Sequence, residues 1–214
     1  EVTTVNAVAA AGPLGQGTAA VGNILLNGGT FRANLSVNGS TDKGFTVSAH
    51  STIEVVANTL TLNTTLNGVA AEQYQLAALN TGILKKTGAG TLELKNLTVA
   101  ANNANLSIEV VAGTLLLSQA STAAISAIDL PGAAGIIVGT SGTVRLGDSS
   151  GNQISDTSSV LLNGSGSFDL AGFSETIDGL AGAGTVTTSG VSTFTIGGNN
   201  SAGLSPYTPA AAAA

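Results

Sequence analysis

His50 is the only histidine in the chain, and Asp42 lies close before it among abundant serines. These residue types could form a Ser–His–Asp triad. A working triad also needs a nucleophile on a strained turn and donors for an oxyanion. No serine here has that setting, so His50 reads as a turn histidine. Glycoside cleavage instead needs two convergent carboxylates. The candidates are Asp129, Asp148, Asp156, Asp169, Glu175 and Asp178. Glu175 and Asp178 flank the end of the strand-like segment Phe173 to Ile177. A polysaccharide lyase would add Arg or Lys beside clustered Asp, and the whole chain holds only 6 Lys+Arg.

Metal and phosphate chemistry is equally thin. Asp148-Ser149-Ser150-Gly151-Asn152 could touch calcium, but it lacks the acidic density of a calcium loop and reads as a solvated turn. Gly88-Ala89-Gly90 lacks the Lys-Ser/Thr ending of a phosphate cradle. Asn34, Asn38, Asn63, Asn96, Asn105, Asn163 and Asn199 each begin an N-x-S/T triplet, a frequency that Asn, Ser and Thr abundance explains. No catalytic residue, metal ligand or cofactor is assigned.

The elements that hold these residues follow a repeated cassette. Its fullest copy is Leu84-Lys85-Lys86-Thr87-Gly88-Ala89-Gly90-Thr91-Leu92-Glu93-Leu94. Gly88 and Gly90 permit a tight bend. After the bend, Leu92 and Leu94 point to one face of a strand and Glu93 to the other. Shorter copies start at Gly29-Thr30, Asn58-Thr59, Gly113-Thr114, Gly142-Thr143, Gly166-Ser167 and Gly184-Thr185. Aligning their Thr/Ser positions gives steps of 29, 32, 23, 29, 24 and 18 residues. Repetition on that scale marks a solenoid, with loop insertions at corners accounting for the uneven steps. The alternation predicts Leu92, Leu94, Leu115, Leu117, Val144, Leu146, Phe168 and Leu170 inside. Arg32, Glu93, Arg145 and Asp169 should face out. Asn27, Asn58, Asn63, Asn67 and Asn163 are candidates for ladders at corners. Only Glu72 to Leu79 and Ala120 to Leu130 look helical.

The chain is 43% hydrophobic but only 8% charged, so Thr, Ser, Asn, Gly and Ala must build the surface. A net charge of −6 argues against nucleic acid and against an anionic membrane surface. Cys is absent, which excludes disulfides and thiolate metal sites. No apolar run reaches about 18 residues, and no signal peptide pattern is present. The start at Glu1 suggests a processed or excised form. Residues 1–22 read as an uncapped lead-in segment or irregular first rung. Residues 23–200 carry the strand pattern, and 201–214 form a Pro/Ala-rich tail.

The cassette resembles the passenger-associated β-strand repeat of bacterial autotransporters, whose pattern runs approximately L-x-K-x-G-x-G-T-L-x-L. A second segment, Ser158 through Val186, is similar to the family's partner motif. It includes Asp169-Leu170-Ala171-Gly172-Phe173-Ser174-Glu175-Thr176-Ile177. Gly28-Gly29-Thr30-Phe31 matches the G-G-T-[LF] often found upstream, whereas Lys95 to Ala104 departs from the family's usual turn. The resemblance implies an all-β fold: a single right-handed parallel β-helix, here of roughly eight irregular rungs. It implies display outside a Gram-negative cell. The structural repeat residues are then Gly29, Thr30, Gly88, Gly90, Thr91, Gly113, Thr114, Gly142, Thr143, Gly166, Gly172, Phe173, Gly184 and Thr185.

The expectation is therefore a non-enzymatic extracellular structural protein, a subunit of a surface fibre with adhesion as an added role. It would associate end to end, with a cell-surface or glycan receptor as a candidate partner, and neither bind nucleic acid nor insert into a membrane. A stalk presenting a separate binding domain is the first alternative. A carbohydrate-active β-helix enzyme is the second.

Overall fold

A computed structural model describes residues 1–7, 9–17, 24–47, 49–64, 76–78, 83–96, 107–119, 134–147 and 152–197. Among them are 17 strands and no helix, so the fold is all-β. Every strand pair is parallel.

The strands fall into two long strips. The first runs β2 (Thr30–Asn34), β5 (Ser51–Ala57), β8 (Ile83–Thr87), β10 (Ser107–Gln119), β11 (Ala134–Leu146), β12 (Ser159–Leu162) and β15 (Gly179–Gly182). The second runs β3 (Gly39–Thr41), β6 (Thr59–Thr64), β9 (Thr91–Asn96), β10, β11, β13 (Ser167–Asp169) and β16 (Thr185–Thr187). Strands β10 and β11 are long enough to belong to both strips. Each bends near its middle, so the strips share a sheet and meet at a corner. A third set is in pieces: β1 (Ile24–Leu26), β4 (Phe45–Val47) and β7 (Leu76–Ala78) stack together, as do β14 (Glu175–Ile177) and β17 (Phe194–Ile196).

Side-chain alternation decides which face of each strip is buried. On the second strip Leu60, Leu92, Leu115, Val144 and Phe168 lie in register, and each is 0% exposed. Leu62, Leu94, Leu117, Leu146 and Leu170 form a neighbouring buried row. Removing a leucine side chain from water is worth about 2 kcal/mol, so these rows are the main source of stability. Arg145 faces solvent, while Arg32, Glu93 and Asp169 are half-buried on the outer side. Phe31 packs edge-on against Phe45 in the first passes, and Phe168 does the same against Phe194 in the last. Large rings thus fill the interior near both ends.

The cassette alignment holds for six of its seven members. Thr59, Thr91, Thr114, Thr143, Ser167 and Thr185 pair in direct register and form one file across the second strip. Thr30 does not belong to it. It pairs with Thr52 on the first strip, and the position below Thr59 is Asn38, whose Oδ1 accepts from the Thr59 amide at 3.0 Å. Gly29-Thr30 leads into β2 on the first strip just as Gly113-Thr114 and Gly142-Thr143 lead into the second, so the pair by itself does not tell the strips apart. Among the described residues each strip holds seven strands.

Glycine 113 shows why the bends need that residue. Its φ is +71°, and an added Cβ would lie 2.4 Å from the Gly88 carbonyl oxygen and 2.5 Å from that of Gly90. Successive bends pack backbone on backbone there, and no side chain fits.

Three further expectations change. Leu76–Ala78 is strand β7 rather than helix, and residues 72–75, 79 and 120–130 lie outside the described set. Among the described corner asparagines no ladder forms. Asn58 adopts φ +60° and donates from Nδ2 to the Leu35 carbonyl at 2.8 Å, while the residue in register above it is Gly90. Asn27 and Asn163 are exposed in other bends, Asn67 lies outside the described residues, and nothing is assigned to the Asn63 side chain. Asn58→Ala should cost about 1–2 kcal/mol, from the left-handed backbone and the lost hydrogen bond. Asn58→Gly should cost less than half of that, and chemical denaturation of the two variants checks the order.

The N-terminal segment was expected to leave the first strands uncapped, and here the correction matters for function. Val2 bridges to Ala33: its amide donates to Arg32 O and its carbonyl accepts from Asn34 N, both at 2.8 Å. Glu1 bonds the Arg32 and Asn34 side chains. The Asn6 side chain organises the loop that follows, donating to Ala10 O and Gly15 O and accepting from Leu14 N. The Thr41 hydroxyl donates to Asn6 O, and buried Lys43 donates to Gly17 O. Residues 1–7 and 9–17 therefore cover the outer edge of the first strands.

Candidate functional site

Of the described candidate carboxylates, Asp156 lies near enough to Glu175 to act on it electrostatically, while Asp169 stands on the second strip. His50 is exposed, and its Nδ1 accepts from the Ile83 amide at 3.1 Å, an ordinary bond between adjacent loops. Asp129 and Asp148 lie outside the described residues, as does Ser149 to Gly151 of the calcium candidate. Among the described residues, no three His, Cys, Asp or Glu side chains are placed to hold a metal ion. No helix there is long and apolar enough to cross a membrane.

Glu175 faces inward, beside Ile177 in the alternation of β14, and is 2% exposed. Its Oε2 accepts from the Gln153 amide at 2.7 Å and its Oε1 from the Thr176 amide at 3.1 Å. Burial outweighs these donors and pushes the carboxyl up to about 8. Gln153 in turn bridges to the previous pass, where its side chain bonds both the amide and the carbonyl of Gln119. Gln119, Gln153 and Glu175 thus form a buried polar column through three passes. Asp178 is also buried. Both side chains are thus shut away from solvent.

Lys86 is another buried ionic group. It is 0% exposed and stands in register with Ile53 below and Val110 above. Its stem packs as an apolar side chain, and its ammonium turns into the corner. There Nζ donates to Thr87 O, Gly88 O and Ala112 O at 2.8, 2.8 and 2.9 Å. Burial lowers its pKa to about 8. The alternation that sends Leu84 inward also sends Lys86 inward, so the signal was present.

The exposed chemistry lies on the outer face of the second strip. A groove of about 540 Å³ is lined there by Thr59, Thr91, Thr114 and Thr143, with Leu116, Arg145, Asp169 and Phe173 among the other contributors. Neighbouring hydroxyls in the file are one strand spacing apart, about 4.8 Å. Arg145 Nε lies 3.4 Å from Asp169 Oδ2 across adjacent strands. Asp169 Oδ1 accepts from the Ala171 amide at 2.9 Å, and this turn carries positive φ at Ala171 (51°) and Gly172 (88°). The turn closes with the Phe173 amide donating to Leu170 O at 2.8 Å, which sets Phe173 at the groove margin. The Asp169-to-Phe173 motif therefore shapes a wall as well as a bend. Upstream, Glu93 is flanked by hydroxyls from both neighbouring passes, Thr61 at 2.7 Å and Ser118 at 2.6 Å.

Comparison with family models, with curated proteins and with solved structures gives no match to this chain.

Proposed function

We propose that the chain is a non-enzymatic structural protein of the cell exterior, a right-handed parallel β-helix that serves as an extended scaffold. One observation carries this reading. Six cassette residues, Thr59 to Thr185, stack in direct parallel register, one per pass. Equal residues at equal positions are what a coil with a repeated rung requires. Right-handedness follows from the strong preference of parallel β crossovers. The cassette's resemblance to autotransporter passenger repeats points the same way, and it supplies the Gram-negative surface location.

Between a fibre subunit and a stalk, the ends favour the stalk. The first edge carries Val2 and its loop, so a second copy finds it occupied. The last strands β15, β16 and β17 each pair on one side only among the described residues, and Ile196 is 51% exposed there. Such an edge is able to accept a further strand. Electron microscopy of the purified chain should show short single rods. Seven passes at about 4.8 Å give a strand stack of about 34 Å. Long filaments in the same fields would restore the fibre role, and globular particles would defeat the scaffold.

The enzyme alternative predicts turnover. Hydrolase and lyase assays on common polysaccharides should give no product above background. Activity that vanishes in Asp169→Asn or Glu175→Gln would overturn the non-enzymatic reading.

A further inference from the structure

We propose that the groove on the second strip binds a neutral, extended polysaccharide lying along the strand stack. The groove offers three kinds of contact in one line. The threonine file presents hydroxyls at a regular step of about 4.8 Å, close to the length of one pyranose in an extended chain. Each hydroxyl both donates and accepts, which suits sugar hydroxyls that do the same. The Arg145–Asp169 pair adds charged donors beside a charged acceptor, a fork that bonds vicinal hydroxyls on both sides. Phe173 and Leu116 add apolar surface for the C–H face of a sugar ring. The volume of about 540 Å³ lies in the range of small-ligand sites.

Charge selects the ligand class. Arg145 and Asp169 cancel each other, and both lie on the groove. The protein as a whole carries −6. A uronate polymer would meet no net cation here, whereas a neutral hexose polymer keeps the ion pair intact. The wall is also held in advance. Asp169 is fixed by the Ala171 amide and Arg145 together, so little ordering is left for the ligand to drive. This inference rests on the stacked strip itself and not on the stalk role; the microscopy above tests that role separately.

The test is calorimetric titration of the intact chain with cellohexaose, mannohexaose and, as the anionic control, hexagalacturonate. At least one neutral hexaose should bind with a Kd below about 1 mM. Phe173→Leu keeps the packing of that side chain but removes the ring face, and Arg145→Gln removes the ion pair. Each should weaken binding about tenfold. Thr114→Val should weaken it about threefold. Val191→Ser, at a fully exposed site away from the groove, should leave it unchanged. Thermal melts confirm that each variant is folded. The proposal is overturned by no neutral binding at about 5 mM. Tighter binding of hexagalacturonate overturns it too, as does unchanged affinity in folded Phe173→Leu and Arg145→Gln.

Discussion

Lys86→Met should destabilise the chain by about 2–5 kcal/mol, although methionine copies the buried stem. Two opposing effects set this figure. Burial lowers the lysine pKa to about 8 from 10.5, so holding the charge inside costs about 3 kcal/mol at neutral pH. Methionine removes that cost. It also removes three charge-assisted bonds to Thr87 O, Gly88 O and Ala112 O, each worth about 1.5–3 kcal/mol. The bonds win, because the carbonyls stay in the corner without those donors. Lys86→Arg should not rescue. An added Cβ at Gly113 already lies 2.9 Å from Nζ, so the pocket has no room for a guanidinium. Urea denaturation at pH 7 decides: a Lys86→Met variant as stable as the parent would show that the corner carbonyls need no cation.

The cassette made the second strip legible, because alternation and glycine bends are local signals. Leu92, Leu94, Val144 and Phe168 lie where alternation puts them. The misplaced Thr30 shows the limit of such signals. A bend followed by a strand looks the same on either strip, and only pairing with Thr52 separates them. Strand β14 falls inside the strand-like segment Phe173 to Ile177, but strands of three residues such as β14 and β17 are too short to show which neighbours they stack against. The cap was missed because its contacts join residues far apart in sequence, Val2 with Ala33, Asn6 with Thr41 and Gly17 with Lys43. Its weak patterning read only as a lead-in segment or an irregular first rung. The groove needed the stack itself: Thr59, Thr91, Thr114 and Thr143 are far apart in sequence and adjacent only in register. Asp169 and Phe173 were read as architectural, which they are, and their place on a groove margin follows from the turn between them.

Stability should pass through a minimum near pH 8, an inverted profile for a protein of this acidity. Glu175 sets the acid limb. Its folded pKa of about 8 stands above the ordinary 4.5, mainly through burial. Between those values the folded state holds a proton that the unfolded state has lost. Stability from this group is therefore full below about pH 4.5 and falls as pH rises through 8. The loss is several kcal/mol, on the order of 3–5. Lys86 sets the alkaline limb with the opposite sign. Its folded pKa of about 8 lies below 10.5, so between them the unfolded state binds the extra proton. Stability then rises as pH climbs from about 8 to 10.5. The two limbs meet where both groups titrate. Glu175→Gln should flatten the acid limb and leave the alkaline one, and Lys86→Met should do the reverse. The Gln119–Gln153 bonds make the glutamine variant informative, since they hold the column in place without the acid. Denaturant midpoints from pH 4 to 10 give the profile directly. Stability that rises from pH 5 to 8, with Glu175→Gln tracing the same curve as the parent, would mean that Glu175 stays ionised in the folded chain. The backbone donors of Gln153, Ile154 and Thr176 would then outweigh its burial.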